Sequence, residues 1–145
     1  MSVKFFKLQS KNLYRDYKTQ FTNGDVYDYR PRFFDVDQIV LDFDIDEEDF
    51  CLMKAQHIIA YMVGFKSWGA LLKATEAELE LAKLLFTHQD KIYFEEWEMY
   101  INSAEREDGR VFDPDDRLEI FKHVFLNNGT HVSMFPDYRL PKGTQ

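Results

Sequence analysis

A single cysteine, Cys51, stands among 145 residues, with only four prolines and six glycines. One thiol excludes an internal disulfide and any zinc site built on paired cysteines, and it fits a reducing compartment. Cationic side chains are in deficit: 18 Lys and Arg face 26 Asp and Glu, a formal net charge of −8. Such a surface repels phosphate, so direct nucleic-acid binding and adhesion to anionic membranes lose their main driving force. No stretch of 18 consecutive apolar residues occurs, so no membrane span is expected. Residues 1–10 lack the uninterrupted apolar stretch of a secretion signal, and the expected location is the cytoplasm. A Gly-x-Ser-x-Gly elbow, a phosphate-cradling glycine loop and a Cys–His nucleophile signature are also missing.

What the chain has in excess is aromatic side chains: 14 Phe, 8 Tyr and 2 Trp, or 17%. Disordered chains are poor in these residues, so the composition is that of a folded protein. The length suits one domain. The expected class is mainly α: a single compact helical domain of four to five helices with an irregular or small β-containing N-terminal third. Residues 1–45 are expected to cover the domain, residues 46–127 to form its helical core, and residues 130–145 to make an irregular tail.

Val3, Phe5, Phe6 and Leu8 suggest a short strand at residues 3–8. Ser10 then reads as the cap of a helix carrying Leu13, Tyr14, Tyr17 and Phe21. Asn23-Gly24 is a turn signal, and Pro31 argues against a central strand after it. Asp35 is placed to cap a short helix with Val36, Ile39 and Val40 inward. Asp46, Glu47, Glu48 and Asp49 suit a first helical turn, where the macrodipole favours acids. That helix would hold Phe50, Met53, Ala55, Ile58, Ile59, Met62 and Val63 and end at Gly64. Ser67 restarts a short helix with Trp68, Leu71 and Leu72 inward. Thr75 and Glu78 spell a capping box. Asp90 is expected to cap the next helix, whose stripe is Tyr93, Phe94, Trp97, Tyr100, Ile101 and Ala104. Asp113-Pro114 opens the last helix, and Asn127-Asn128-Gly129 stops it. Phe135, Pro136, Tyr138 and Leu140 predict that part of the tail docks.

The stretch Ala55-Gln56-His57, Ala60, Gly64-Phe65, Ser67-Trp68 and Leu71 resembles a small helical segment of bacterial proteins labelled glyoxalase-related. There an Ala-Gln helix ends in Gly, followed by an aromatic, then Ser or Asn, Trp and Leu. The resemblance covers residues 55–71 and implies a helical module. Metal-dependent glyoxalases need several His and Glu ligands on a β-rich scaffold, which this sequence lacks. The same residues also describe a tight corner: Gly64 takes positive φ, and Phe65 and Trp68 fold back on Ala60. As a DNA reader the corner is poor, since its second helix offers only Lys66 and Lys73 as cations.

Several polar constellations invite chemistry. Asp42, Asp44 and Asp46 alternate like the start of a calcium loop, but Glu47 and Met53 stand where Gly and Glu belong. Asp115, Glu119 and His123 recur every four residues on one helix face, as in a metal site or an ordinary wet face. Glu95 and Glu98 lack the accompanying Glu-x-x-His of carboxylate-bridged metal proteins. Of the histidines, His57 reads as a hydrogen-bonded core or corner residue and His88 as a helix end. Tyr27, Tyr29, Phe33 and Phe34 cluster around Arg30 and Arg32, the composition of an interface hot spot or of a lid on the core.

These features point to a non-catalytic protein-interaction or regulatory module of a bacterial or phage-type cytoplasmic protein. Its partner would be another protein, with no cofactor and no metal. The expected binding residues are Tyr27, Tyr29, Arg30 and Arg32 with the acidic edge Asp42, Asp44 and Glu48. The alternatives are a small metal-assisted enzyme using His57 or the Asp115–Glu119–His123 face, and an acidic mimic of nucleic acid that blocks a DNA-binding protein.

Overall fold

The computed structural model describes residues 2–127 and 130–141. Among the described residues the chain forms seven α-helices and one two-stranded sheet, so the mainly helical class holds. Five helices fall between residues 46 and 127: α3 (Leu52–Met62), α4 (Trp68–Leu72), α5 (Glu76–Thr87), α6 (Phe94–Asp108) and α7 (Pro114–Phe121). The N-terminal third adds α1 (Ser2–Tyr17), β1 (Phe21–Asn23), β2 (Val26–Asp28) and α2 (Val36–Asp42).

The first helix corrects the expected strand at residues 3–8 and the expected cap at Ser10. Its inward face carries Ser2, Phe6, Ser10, Leu13 and Asp16, a helical spacing in which polar residues interrupt the apolar ones. Ser10 sits inside the helix, where its hydroxyl donates to the Phe6 carbonyl at 2.8 Å. Phe6 and Leu13 are fully buried in the common core, against α3 and α5. The expected turn lies one residue further on, at Gly24-Asp25, in an antiparallel hairpin with Phe21 opposite Asp28 and Asn23 opposite Val26.

In the core the capping signals act as read. Thr75 and Glu78 form a complete capping box, Asp113 accepts the Asp116 N–H ahead of Pro114, and Asp35 accepts the Gln38 N–H. Other expectations fail, among them one on α6 and one on α4. Asp90 does not cap α6, which starts after Tyr93 with the Tyr93 N–H donating to Glu96 at 2.9 Å. Leu72 faces outward, at 45% exposure, while its neighbour Leu71 is fully buried.

At Gly64 (φ +93°) the Phe65 N–H bonds to the Ala60 carbonyl and the Gly64 N–H to the Tyr61 carbonyl. This closes α3 with the left-handed residue that glycine tolerates best. A Cβ there would also meet the Phe94 ring at 3.1 Å. Beyond α7 the helix continues as a π turn (Lys122–Leu126), which sets Phe125 beside Phe121 against Trp97. Asn128 and Gly129, part of the expected stop signal, lie outside the described residues. The tail docks along residues 33–35: the Asp35 N–H donates to the Tyr138 carbonyl and the Leu140 N–H to the Phe33 carbonyl, both at 2.9 Å. Tyr138 is buried, whereas Phe135 and Pro136 remain exposed.

Candidate functional site

The hairpin and the acidic stretch meet on one side of the molecule. Asp46, Glu47, Glu48 and Asp49 do not enter the first turn of α3, which starts at Leu52 after Cys51. They occupy an irregular loop over residues 43–51. Asp46 turns the chain by accepting the Glu48 N–H at 3.0 Å. Phe50 packs against Tyr17 with ring centres 4.6 Å apart and against Tyr14 at 6.4 Å. Tyrosine hydroxyls hold the rest. Tyr29 donates to the Glu47 carboxylate and accepts from the Gln20 amide at 2.9 Å. Tyr17 donates to the Glu47 carbonyl, and Tyr27 donates to Glu48 at 3.1 Å.

These contacts shift the tyrosines' titration. Burial first, then the bond to Glu47, pushes the Tyr29 phenol well above its ordinary value. For Tyr17 burial is again the main cause of a raised value, and for the half-buried Tyr27 it is the bond to Glu48. All three therefore act as neutral donors to carboxylate or carbonyl oxygens across the ordinary pH range. Asp37, on α2, is raised by burial and by the neighbouring charges of Asp35, Asp28 and Glu47, which shows how closely acids gather here.

The expected binding residues are placed differently. Tyr27 bonds to Glu48, and Tyr29 to the neighbouring Glu47, through the contacts above. Arg30 lies over the Phe21 ring at 4.9 Å and Arg32 over Phe33 at 5.7 Å. Asp44 is exposed, with a positive φ of 52°. Asp42 is exposed but already engaged, accepting the Tyr138 hydroxyl at 2.7 Å and the Gln38 amide at 2.9 Å.

The residue that positions this region went unread in the sequence. Asp16 is almost fully buried, and its carboxylate accepts the N–H groups of Arg32, Phe33 and Phe34 at 2.8–3.0 Å. It thus fixes the return of the chain from the hairpin to α2 and aims Phe34 into the core. A lone Asp in an amphipathic helix carries no signal of this. Only the break in the apolar pattern at positions 10 and 16 hints at an inward polar residue.

The metal-assisted alternative gains nothing from the geometry. Among the described residues no three His, Cys, Asp or Glu side chains are grouped to hold an ion. Glu119 pairs with Lys122 at 3.7 Å, and His123 lies in the π turn. His57 is the corner residue it was read to be: its Nδ1 accepts the Trp68 N–H at 3.2 Å and ties α3 to α4. His88 ends α5, its Nδ1 2.9 Å from the Leu84 carbonyl. No helix of the described residues is long and apolar enough to cross a membrane. Comparison with protein-family models, with curated proteins and with solved structures finds no match.

Proposed function

We propose that the chain is a non-catalytic module that binds another protein through the hairpin and the loop over residues 43–51. The observation that carries this reading is the union of two segments by Tyr27–Glu48 and Tyr29–Glu47 contacts. They bring aromatic side chains and a dense set of carboxylates to one face. Phe21 and Val26 are also exposed, on the hairpin's other side from Tyr27. Aromatic rings with few rotatable bonds, ringed by charge, are the usual anchors of interfaces. The acids select a partner with a basic patch, since like charge is repelled and opposite charge speeds encounter. Asp35, Asp28 and Glu47 add to burial in raising Asp37, and such a cation would offset their share.

The test is charge reversal at exposed acids of this face. Asp44→Lys with Glu48→Lys gives up only the exposed bond from Tyr27, whereas Asp42 anchors Tyr138 and belongs to the fold. The immobilised double variant is expected to lose partners that the wild-type chain captures, with an unchanged melting temperature. Equal capture by both proteins contradicts the assignment of this face. Competition by duplex DNA for a captured DNA-binding protein would specify the mimic form of the same reading.

A further inference from the structure

The tail is seated between residues 33–35 and the connection from α5 to α6, and its contacts show what this seat recognises. Of residues 130–141 only Tyr138 is buried. Each of its polar groups is bonded. Its N–H donates to the Gln89 amide oxygen at 3.0 Å, its carbonyl accepts the Asp35 N–H at 2.9 Å, and its hydroxyl donates to Asp42 at 2.7 Å. Its ring rests against Phe43 and Tyr93, with centres 5.3 and 6.3 Å apart. Arg139 then donates from Nη1 to the Thr87 carbonyl at 2.8 Å, with Nη2 3.4 Å from Asp90. The Leu140 N–H closes the row on the Phe33 carbonyl at 2.9 Å. Two backbone bonds thus flank the antiparallel Phe34–Arg139 pair, the pattern of an extended peptide added to an edge.

Two observations mark the docked tail as replaceable. One buried side chain and a set of polar bonds hold it, and a segment with so little apolar burial opens far more readily than the core. Beneath it, Gln89 is only 2% exposed, yet its amide nitrogen has no acceptor among the described residues. The docked tail satisfies the amide oxygen and leaves a buried donor unpaired, which weakens the closed state. We propose that this seat is a peptide-binding site, occupied here by the chain's own tail as an internal competitor. Its external ligand is an extended segment of a partner protein that carries Tyr-Arg. Phe43 and Tyr93 take the tyrosine ring and Asp42 its hydroxyl, while Asp90 and the Thr87 carbonyl take the arginine. The Asp42 carboxylate rejects a phosphorylated tyrosine by like charge. The inference is independent of the face built on Tyr27, Tyr29, Glu47 and Glu48, because none of those residues contacts Tyr138 or Arg139.

The probe is a synthetic peptide with the sequence of residues 133–141, capped at both ends and added to the full chain. Binding is followed by the NMR signals of the Gln89 side-chain amide and the Tyr93 ring. The Tyr138→Ala chain, whose own tail has lost its anchor, is expected to bind the peptide saturably. The wild-type chain should need at least about tenfold more peptide, because its tethered tail competes at high effective concentration. Tyr138→Phe within the peptide should weaken binding to the Tyr138→Ala chain about tenfold, through loss of the bond to a carboxylate. The phosphorylated peptide should not bind. The proposal is overturned if the Tyr138→Ala chain shows no saturable shift, if the wild type binds the peptide equally tightly, or if phosphorylation leaves the affinity unchanged. Should Tyr138→Ala fail to fold, Arg139→Ala loosens the tail instead and the same outcomes decide. Sedimentation of the wild type is expected to show a monomer. A dimer joined by exchanged tails would assign the seat to a second copy and overturn the partner assignment.

Discussion

Two regions of this molecule are built on different physics. Around Trp97, the rings of Tyr100, Phe121 and Phe125 meet edge-on or stacked within about 6 Å, and Phe121 is wholly buried. That region is held by dry apolar area and by helices whose ends are capped locally. Around Tyr29, by contrast, hydroxyls, amides and carboxylates hold a hairpin to a loop, over the tilted rings of Tyr14, Tyr17 and Phe50. The apolar region resists change because many side chains share the load. The polar region depends on single atoms, so it is the part that a partner, a proton or a substitution can alter without unfolding the rest.

The comparison is broken first at its strong side. Phe121→Ala is expected to destabilise the protein by about 3–5 kcal/mol in urea unfolding, the cost of an aromatic cavity in a close-packed core. Asp16→Ala comes next, at about 3 kcal/mol, because three backbone N–H groups lose a buried acceptor. Asp16→Asn, which retains one acceptor oxygen, should cost visibly less. Gly64→Ala should cost about 1–2 kcal/mol, from the positive φ alone, and slightly more through the Phe94 contact.

A smaller effect belongs to Glu96, which ties the tail to α6. Burial raises its carboxyl, but bonds from Ser133, from the Tyr93 and Met134 N–H groups and from His131 outweigh this and leave it below its ordinary value. A carboxylate depressed by folding adds stability above its unfolded value, and that stability is lost as pH falls through the folded one. The stability difference between wild type and Glu96→Gln should therefore be largest near neutral pH and shrink in the acid range. A difference constant with pH would remove the tail's dependence on this charge. The smallest effect is expected from Asp44→Lys with Glu48→Lys, within about 0.5 kcal/mol of wild type by the same unfolding measurement.

The same contrast explains what was legible in the sequence. Periodic apolar residues and local caps are short-range signals, so α2 and the helices from α3 to α7 stood in the sequence with Asp35, Thr75, Glu78 and Asp113 at their starts. The corner at Gly64 and Ser67 was readable for the same reason, down to His57 as its bonded residue. The first helix was hidden because Ser10 and Asp16 occupy its inward face. Asp90 looked like a helix cap, but its carbonyl and carboxylate instead meet Ser133 and Arg139 of the tail. The acidic run looked like a helix start, but tyrosines 17, 27 and 29 draw it to the hairpin from 18–30 residues away in sequence. Long-range polar partnerships leave no period and no spacing. The candidate face was thus legible as a composition of Tyr, Arg and acids, while its assembly through Asp16 and Glu47 was not.

Amide hydrogen exchange of the loop over residues 43–51 in Tyr29→Phe tests most directly whether the two segments form one face. Loss of the hydroxyl that holds Glu47 is expected to speed exchange in this loop and in the hairpin at least severalfold, with α5–α7 unaffected. Unchanged exchange in the loop, or an equal rise across the whole chain, would contradict a face assembled by tyrosine–carboxylate contacts.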